Sequence, residues 1–240
     1  MEWKHYNTEN IKSRYLFKFL SEKHLMMFLE TGNIWFSRSD KFGDKMECVM
    51  IKDLQKPIPD FKEIEYRKRR HLISCFHEGN KETLAFWDSY TKTDEDRRKY
   101  ALRLNRQDLV KLIESSSLED SSIPIISNLV HGKVKYKNLI GANITKLEGK
   151  KVKYPAFRKE YVFAYEKEYR FDIILQQESK IIGYNLKIGD TMDIDFSIFV
   201  NPLLENQDYI SCLKKIRQSK FENKLKLSTL TKWLKPELWK

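Results

Sequence analysis

The stretch from Tyr165 to Leu175, Tyr-Glu-Lys-Glu-Tyr-Arg followed by Phe-Asp-Ile-Ile-Leu, constrains the fold more than any other part of the chain. Side chains of a strand alternate between its faces. Glu166, Glu168 and Arg170 are therefore expected on one side, and Tyr169, Phe171, Ile173 and Leu175 on the other. Such a strand lies against a core with its apolar face and offers two carboxylates and a guanidinium with the other. That constellation can grip a hydroxyl or a phosphate and can stabilise a developing positive charge. The same groups serve equally as an ion-paired strand face that contributes little energy.

Further elements follow from periodicity. Tyr15–Phe19 reads as a first strand, and Ser21 as the cap of a helix that carries Leu25, Phe28 and Leu29 on one stripe and stops at Gly32. Asn33–Ser37 is a second strand, followed by a loop with Asp40, Phe42, Asp44 and Glu47. A basic helix is expected over Asp60–Arg70, then a strand over His71–Phe76, a helix over Glu82–Tyr90 with Leu84 and Trp87 on one stripe, and a strand over Lys99–Leu104. Asn105 opens the next helix. Short strands are expected at Lys133–Tyr136, Ile181–Ile188, Phe196–Val200 and Lys224–Ser228. Helices are expected within Tyr154–Tyr165 and over Asn206–Ser219. Strands and helices mix without strict alternation, which predicts one α+β domain over residues 1–240, with a mixed, mainly antiparallel sheet and flanking helices.

Composition narrows the function. A hydrophobic share of 41% and an aromatic share of 13% argue against disorder. A formal net charge of +11 favours polyanionic partners, nucleic acid first among them. Cys48, Cys75 and Cys212 are odd in number and widely spaced, which predicts reduced thiols and a cytoplasmic location. The amino terminus lacks the apolar core of a signal peptide, and no apolar run reaches the ~20 residues of a membrane span. Glycine-rich phosphate cradles, H-E-x-x-H and G-x-S-x-G are all absent from the sequence.

Taken in order, several stretches resemble an uncharacterised bacterial domain-of-unknown-function family. They are the Tyr15-Leu-Phe-Lys18 strand, the Phe36-Ser37 pair, the Phe42-Gly-Asp44-Lys-Met-Glu47 loop, Ser74, Trp87-Asp-Ser-Tyr90, Val134-Lys-Tyr136, and Lys159 with Glu166-Lys-Glu168-Tyr-Arg170. The family loop has Asn-Asp-Pro where this chain has Gly43, Asp44 and Lys45. The layout is more distantly similar to ADP-ribosyltransferases, in which a late Glu-x-Glu completes the site.

The second resemblance implies a bacterial toxin or phage-defence effector that uses NAD. It makes Glu168 the carboxylate facing an oxocarbenium-like ribose, and Glu166 the group that orients or deprotonates the acceptor. It also makes Lys18, Ser37, Arg38 and Arg170 candidates for holding the dinucleotide, and Trp35, Trp87 and Tyr90 candidates for stacking on its rings. RNA is the favoured acceptor, and an antitoxin or defence-system protein a candidate partner. Two other readings stay open. Asp44, Glu47, Glu166 and Glu168 converging on Mg²⁺ would make a nuclease. Aromatic and basic residues interleaved at Lys151–Tyr154 and Phe157–Lys159 would make a non-catalytic nucleic-acid binder.

Overall fold

The computed structural model describes residues 2–50, 53, 60–88, 97–118, 123–138 and 154–239. Tyr90 and residues 151–153 lie outside the described residues. The architecture is α+β, with mainly antiparallel strands and flanking helices, and the chain forms two compact units. Among the described residues, no helix is long and apolar enough to cross a membrane.

The first unit gathers residues 1–11, 34–75 and 117–186. Strand β1 (Trp3–Tyr6) runs parallel to β6 (Ile126–Lys133), and β6 pairs antiparallel with β9 (Glu168–Leu175), which neighbours β4 (His71–Glu78). Strand β3 (Asn33–Arg38) pairs with β4 and with β10 (Gly183–Lys187). A separate parallel ribbon joins β7 (Lys135–Lys137) to β8 (Arg158–Glu160). Helix α2 (Phe61–Lys68) also lies here, its N-cap Asp60 accepting from the Glu63 amide. Cys48, Ile73, Val130, Tyr154, Ala156, Phe157 and Ile174 form one core cluster of this unit. Gly132 is needed where β6 passes β1: at φ +151 it sits so close that an added Cβ would lie 1.6 Å from the Tyr6 carbonyl oxygen.

The second unit gathers residues 12–33, 76–116 and 187–240. Here β2 (Tyr15–Leu20) pairs antiparallel with the end of β4 and with β5 (Tyr100–Asn105), and β5 pairs antiparallel with β11 (Phe196–Val200). Four of its helices are α1 (Glu22–Thr31), α3 (Leu84–Asp88), α4 (Arg106–Ser115) and α5 (Asn206–Arg217); a fifth, α6 (Thr229–Leu234), follows a 3-10 turn. Gly32 closes α1 in the left-handed region, and Tyr209, Cys212, Leu213 and Ile216 of α5 are buried together, as their spacing predicts.

Several local expectations are corrected. Glu166 does not begin a strand; it ends a 3-10 helix, Tyr161–Glu166, and Lys167 turns the chain at φ 42 before β9 starts. The Tyr154–Tyr165 stretch holds two 3-10 segments around the short β8 instead of one α-helix. Lys224–Ser228 forms only a single bridge, Leu225 to Ile198. Leu84 is exposed, and Phe86 takes the buried place beside Trp87. Ser21 is the N-cap residue of α1, but its hydroxyl meets the His24 ring at 3.0 Å and not a backbone amide.

Candidate active site

Strand β9 is buried along its entire length, so the polar residues in its sequence must find partners indoors. Asp172 does so against His71, at 2.8 Å. Glu168 and Arg170 do so in a larger network assembled from four places in the first unit. The Arg170 guanidinium, 1% exposed, donates through Nε to Glu168 Oε2 at 2.6 Å. Its Nη1 and Nη2 grip the Glu47 carboxylate at 2.5 and 3.0 Å, and Nη1 also donates to the Ala156 carbonyl. From β8 the Lys159 ammonium donates to Glu168 Oε1 at 2.9 Å and to Glu166 Oε2 at 2.5 Å. The Glu168 amide donates to the Tyr136 hydroxyl oxygen at 2.7 Å. Tyr136 and Lys159 are register partners on the β7–β8 ribbon, which explains why the two reach the same carboxylate.

The charges of this cluster do not balance if every group is ionised: three carboxylates, Glu47, Glu166 and Glu168, share the cations Lys159 and Arg170. A buried negative excess is costly, and a retained proton removes it. Burial, together with a hydrogen bond to and the charge of Glu168, raises the Glu166 pKa to about 10. Burial pushes Glu168 the same way, but Arg170, a hydrogen bond from Glu166, and Lys159 outweigh it and hold Glu168 well below the usual carboxylate range. Glu47 is raised by burial, against the pull of Arg170. Tyr136 is raised by burial and by the adjacent Glu168 charge. At neutral pH the pair is thus one carboxylic acid beside one carboxylate, an arrangement that separates acid and base roles.

The other expected site residues are placed as follows. Arg170 is a clamp inside the network, with four of its five N–H donors bonded to Glu168, Glu47 and the Ala156 carbonyl. Arg38 is committed as well: it bonds Asp40 at 2.6 and 3.0 Å and the carbonyls of Ser179 and Ile181. Ser37 is half-buried in β3, in register with Ile73. Lys18 and Trp87 belong to the second unit, where the Lys18 ammonium sits 4.5 Å from the centre of the Phe76 ring. Trp87 offers no stacking face: it is 1% exposed, edge-on to Phe19, with Nε1 donating to Glu82. Tyr90 lies outside the described residues.

The carboxylates proposed for Mg²⁺ do gather in part, Glu47, Glu166 and Glu168 meeting around Lys159 and Arg170, which bond both oxygens of Glu47 and Glu168 and Oε2 of Glu166. The Asp44 carboxylate instead accepts from the Met46 amide at 2.8 Å and organises its own turn. Glu47 was legible as converging with Glu166 and Glu168, and Lys159 as part of one motif with them, but not the bond that joins Glu47 to Arg170, because 123 residues separate the two.

Comparison with protein-family models, curated proteins and solved structures gave no match.

Proposed function

We propose that the chain is an ADP-ribosyltransferase-like enzyme that moves ADP-ribose from NAD to a nucleic-acid acceptor, RNA in preference, using Glu168 and Glu166. The observation that carries this reading is the adjacent carboxyl pair, oriented by Lys159 and Arg170, whose surroundings push the Glu166 pKa up and the Glu168 pKa down. Cleaving the nicotinamide–ribose bond leaves positive charge on the sugar while neutral nicotinamide departs with the bonding electrons. Glu168, fixed and ionised, suits that charge, because a preorganised carboxylate needs no rearrangement as the charge forms. The acceptor then bonds to the sugar carbon and loses a proton. With Glu166 already protonated, that proton passes to the pair as a unit and on to solvent. The net charge of +11 supports a nucleic-acid acceptor. The family resemblance supports a cytoplasmic toxin or phage-defence role.

Burial favours a second reading. Every charged member of the network is almost fully enclosed, as in a structural lock, and the protein would then bind nucleic acid without turnover. Incubation with NAD labelled in the adenylate, together with RNA, DNA or lysate protein, separates the two. Transferase activity gives label transfer and free nicotinamide, unaffected by a chelator, and Glu168→Gln lowers both by more than about 100-fold while the circular dichroism spectrum is kept. If wild-type protein releases no nicotinamide with any acceptor, the transferase reading fails.

A further inference from the structure

The β7–β8 ribbon has a second face. Lys159 and Tyr136 point into the carboxyl network, so their neighbours Arg158 and Lys135, also register partners, project from the opposite side. Arg158 is unusual there. It is 6% exposed, yet its guanidinium makes one described hydrogen bond, Nη2 to the Val49 carbonyl at 2.6 Å, while the buried Nη1 meets no acceptor among the described residues. No carboxylate pairs with it among the described residues. Asp53, whose charge reaches it, is already held by Arg67 at 2.6 and 3.3 Å and by the Met50 amide. Burial accordingly pulls the Arg158 pKa below the ordinary arginine range, against small opposing effects from Tyr6 and Asp53.

An enclosed guanidinium with no carboxylate partner among the described residues is costly unless an anion joins it. The surroundings suit one. The Lys135 ammonium lies 5.1 Å from the centre of the Tyr6 ring, and Tyr6 meets Tyr154 and Phe157 edge-on at 5.6 and 5.4 Å between ring centres. We propose that Arg158 and Lys135, with the Tyr6 hydroxyl, form a phosphate-binding site on this face of the ribbon. A guanidinium fork, an ammonium and a phenol match the charge and the several acceptor oxygens of a phosphate. The site does not depend on whether Glu166 and Glu168 perform chemistry.

The test is binding without turnover. Inorganic phosphate, ADP and a short oligoribonucleotide are titrated into the full chain by calorimetry and thermal melting, using wild type, Arg158→Met, Lys135→Ala and Glu168→Gln. Phosphate is expected to raise the wild-type melting temperature. Arg158→Met is expected to weaken binding more than tenfold while melting no lower than wild type in phosphate-free buffer, since it removes a buried charge that no carboxylate pairs with among the described residues. Exposed Lys135→Ala is expected to weaken binding several-fold with unchanged melting, and Glu168→Gln to bind as wild type does. If ADP binds tightest the phosphate belongs to a nucleotide, and if the oligomer does it belongs to a strand. Absence of wild-type binding to all three probes overturns the site. So does equal binding by wild type, Arg158→Met and Lys135→Ala.

Discussion

At the scale of single residues, the protonated Glu166 has a consequence for stability. The folded chain keeps this proton where the unfolded chain has released it, because burial and the Glu168 charge raise the pKa from the ordinary 4.5 to about 10. The stabilisation it brings is complete below about 4.5 and is lost as pH climbs through about 10, with a slope of at most about 1.4 kcal/mol per pH unit. Glu168 acts in the opposite direction, its contribution fading as pH falls below the ordinary carboxylate range. Glu166→Gln keeps the size and neutrality of the acid and has no proton to lose. Urea unfolding at a series of pH values should therefore give a flatter profile for Glu166→Gln than for wild type between pH 6 and 9. Parallel profiles would show that Glu166 is ionised in the native protein.

At the scale of elements, the β1–β6 pairing depends on Gly132 having no side chain, since a Cβ would fall almost on the Tyr6 carbonyl. Gly132→Ala should destabilise the protein by about 2 kcal/mol or more through steric conflict and backbone strain. Hydrogen exchange should show the Trp3–Tyr6 amides opening first, and unchanged protection there would refute the argument. The same elements show what a sequence can reveal. Helical stripes such as Tyr209, Cys212, Leu213 and Ile216, and the glycine stop at Gly32, were legible because they are local patterns with local causes. Strand β9 was legible as a strand, but not its environment: alternation implies one wet face, whereas neighbours on both sides bury Glu168, Arg170 and Asp172. Strand β1 went unseen because four residues give too short a period. Glu166 was expected beside Glu168 by strand alternation, whereas the turn at Lys167 is what brings the two together. Arg158 drew notice only as part of a basic–aromatic run, because missing partners are invisible until the fold closes around them.

At the scale of the whole molecule, 45 basic residues against 34 acidic ones predict salt-sensitive association with RNA. A footprint of about three phosphates corresponds to a log–log slope near −2 for a single strand. Fluorescence anisotropy with a labelled oligoribonucleotide between 50 and 300 mM salt measures it, and a slope near zero would mean that the basic surface has another purpose. The way the two compact units are threaded also matters for their making. Each is stitched from three separated stretches, so no single cut in the gene yields either one whole. During translation β1 must wait until the ribosome has passed Lys133, and the first unit lacks its last stretch until Leu186 has emerged. A growing chain of this design is exposed to chaperones and proteases for most of its synthesis.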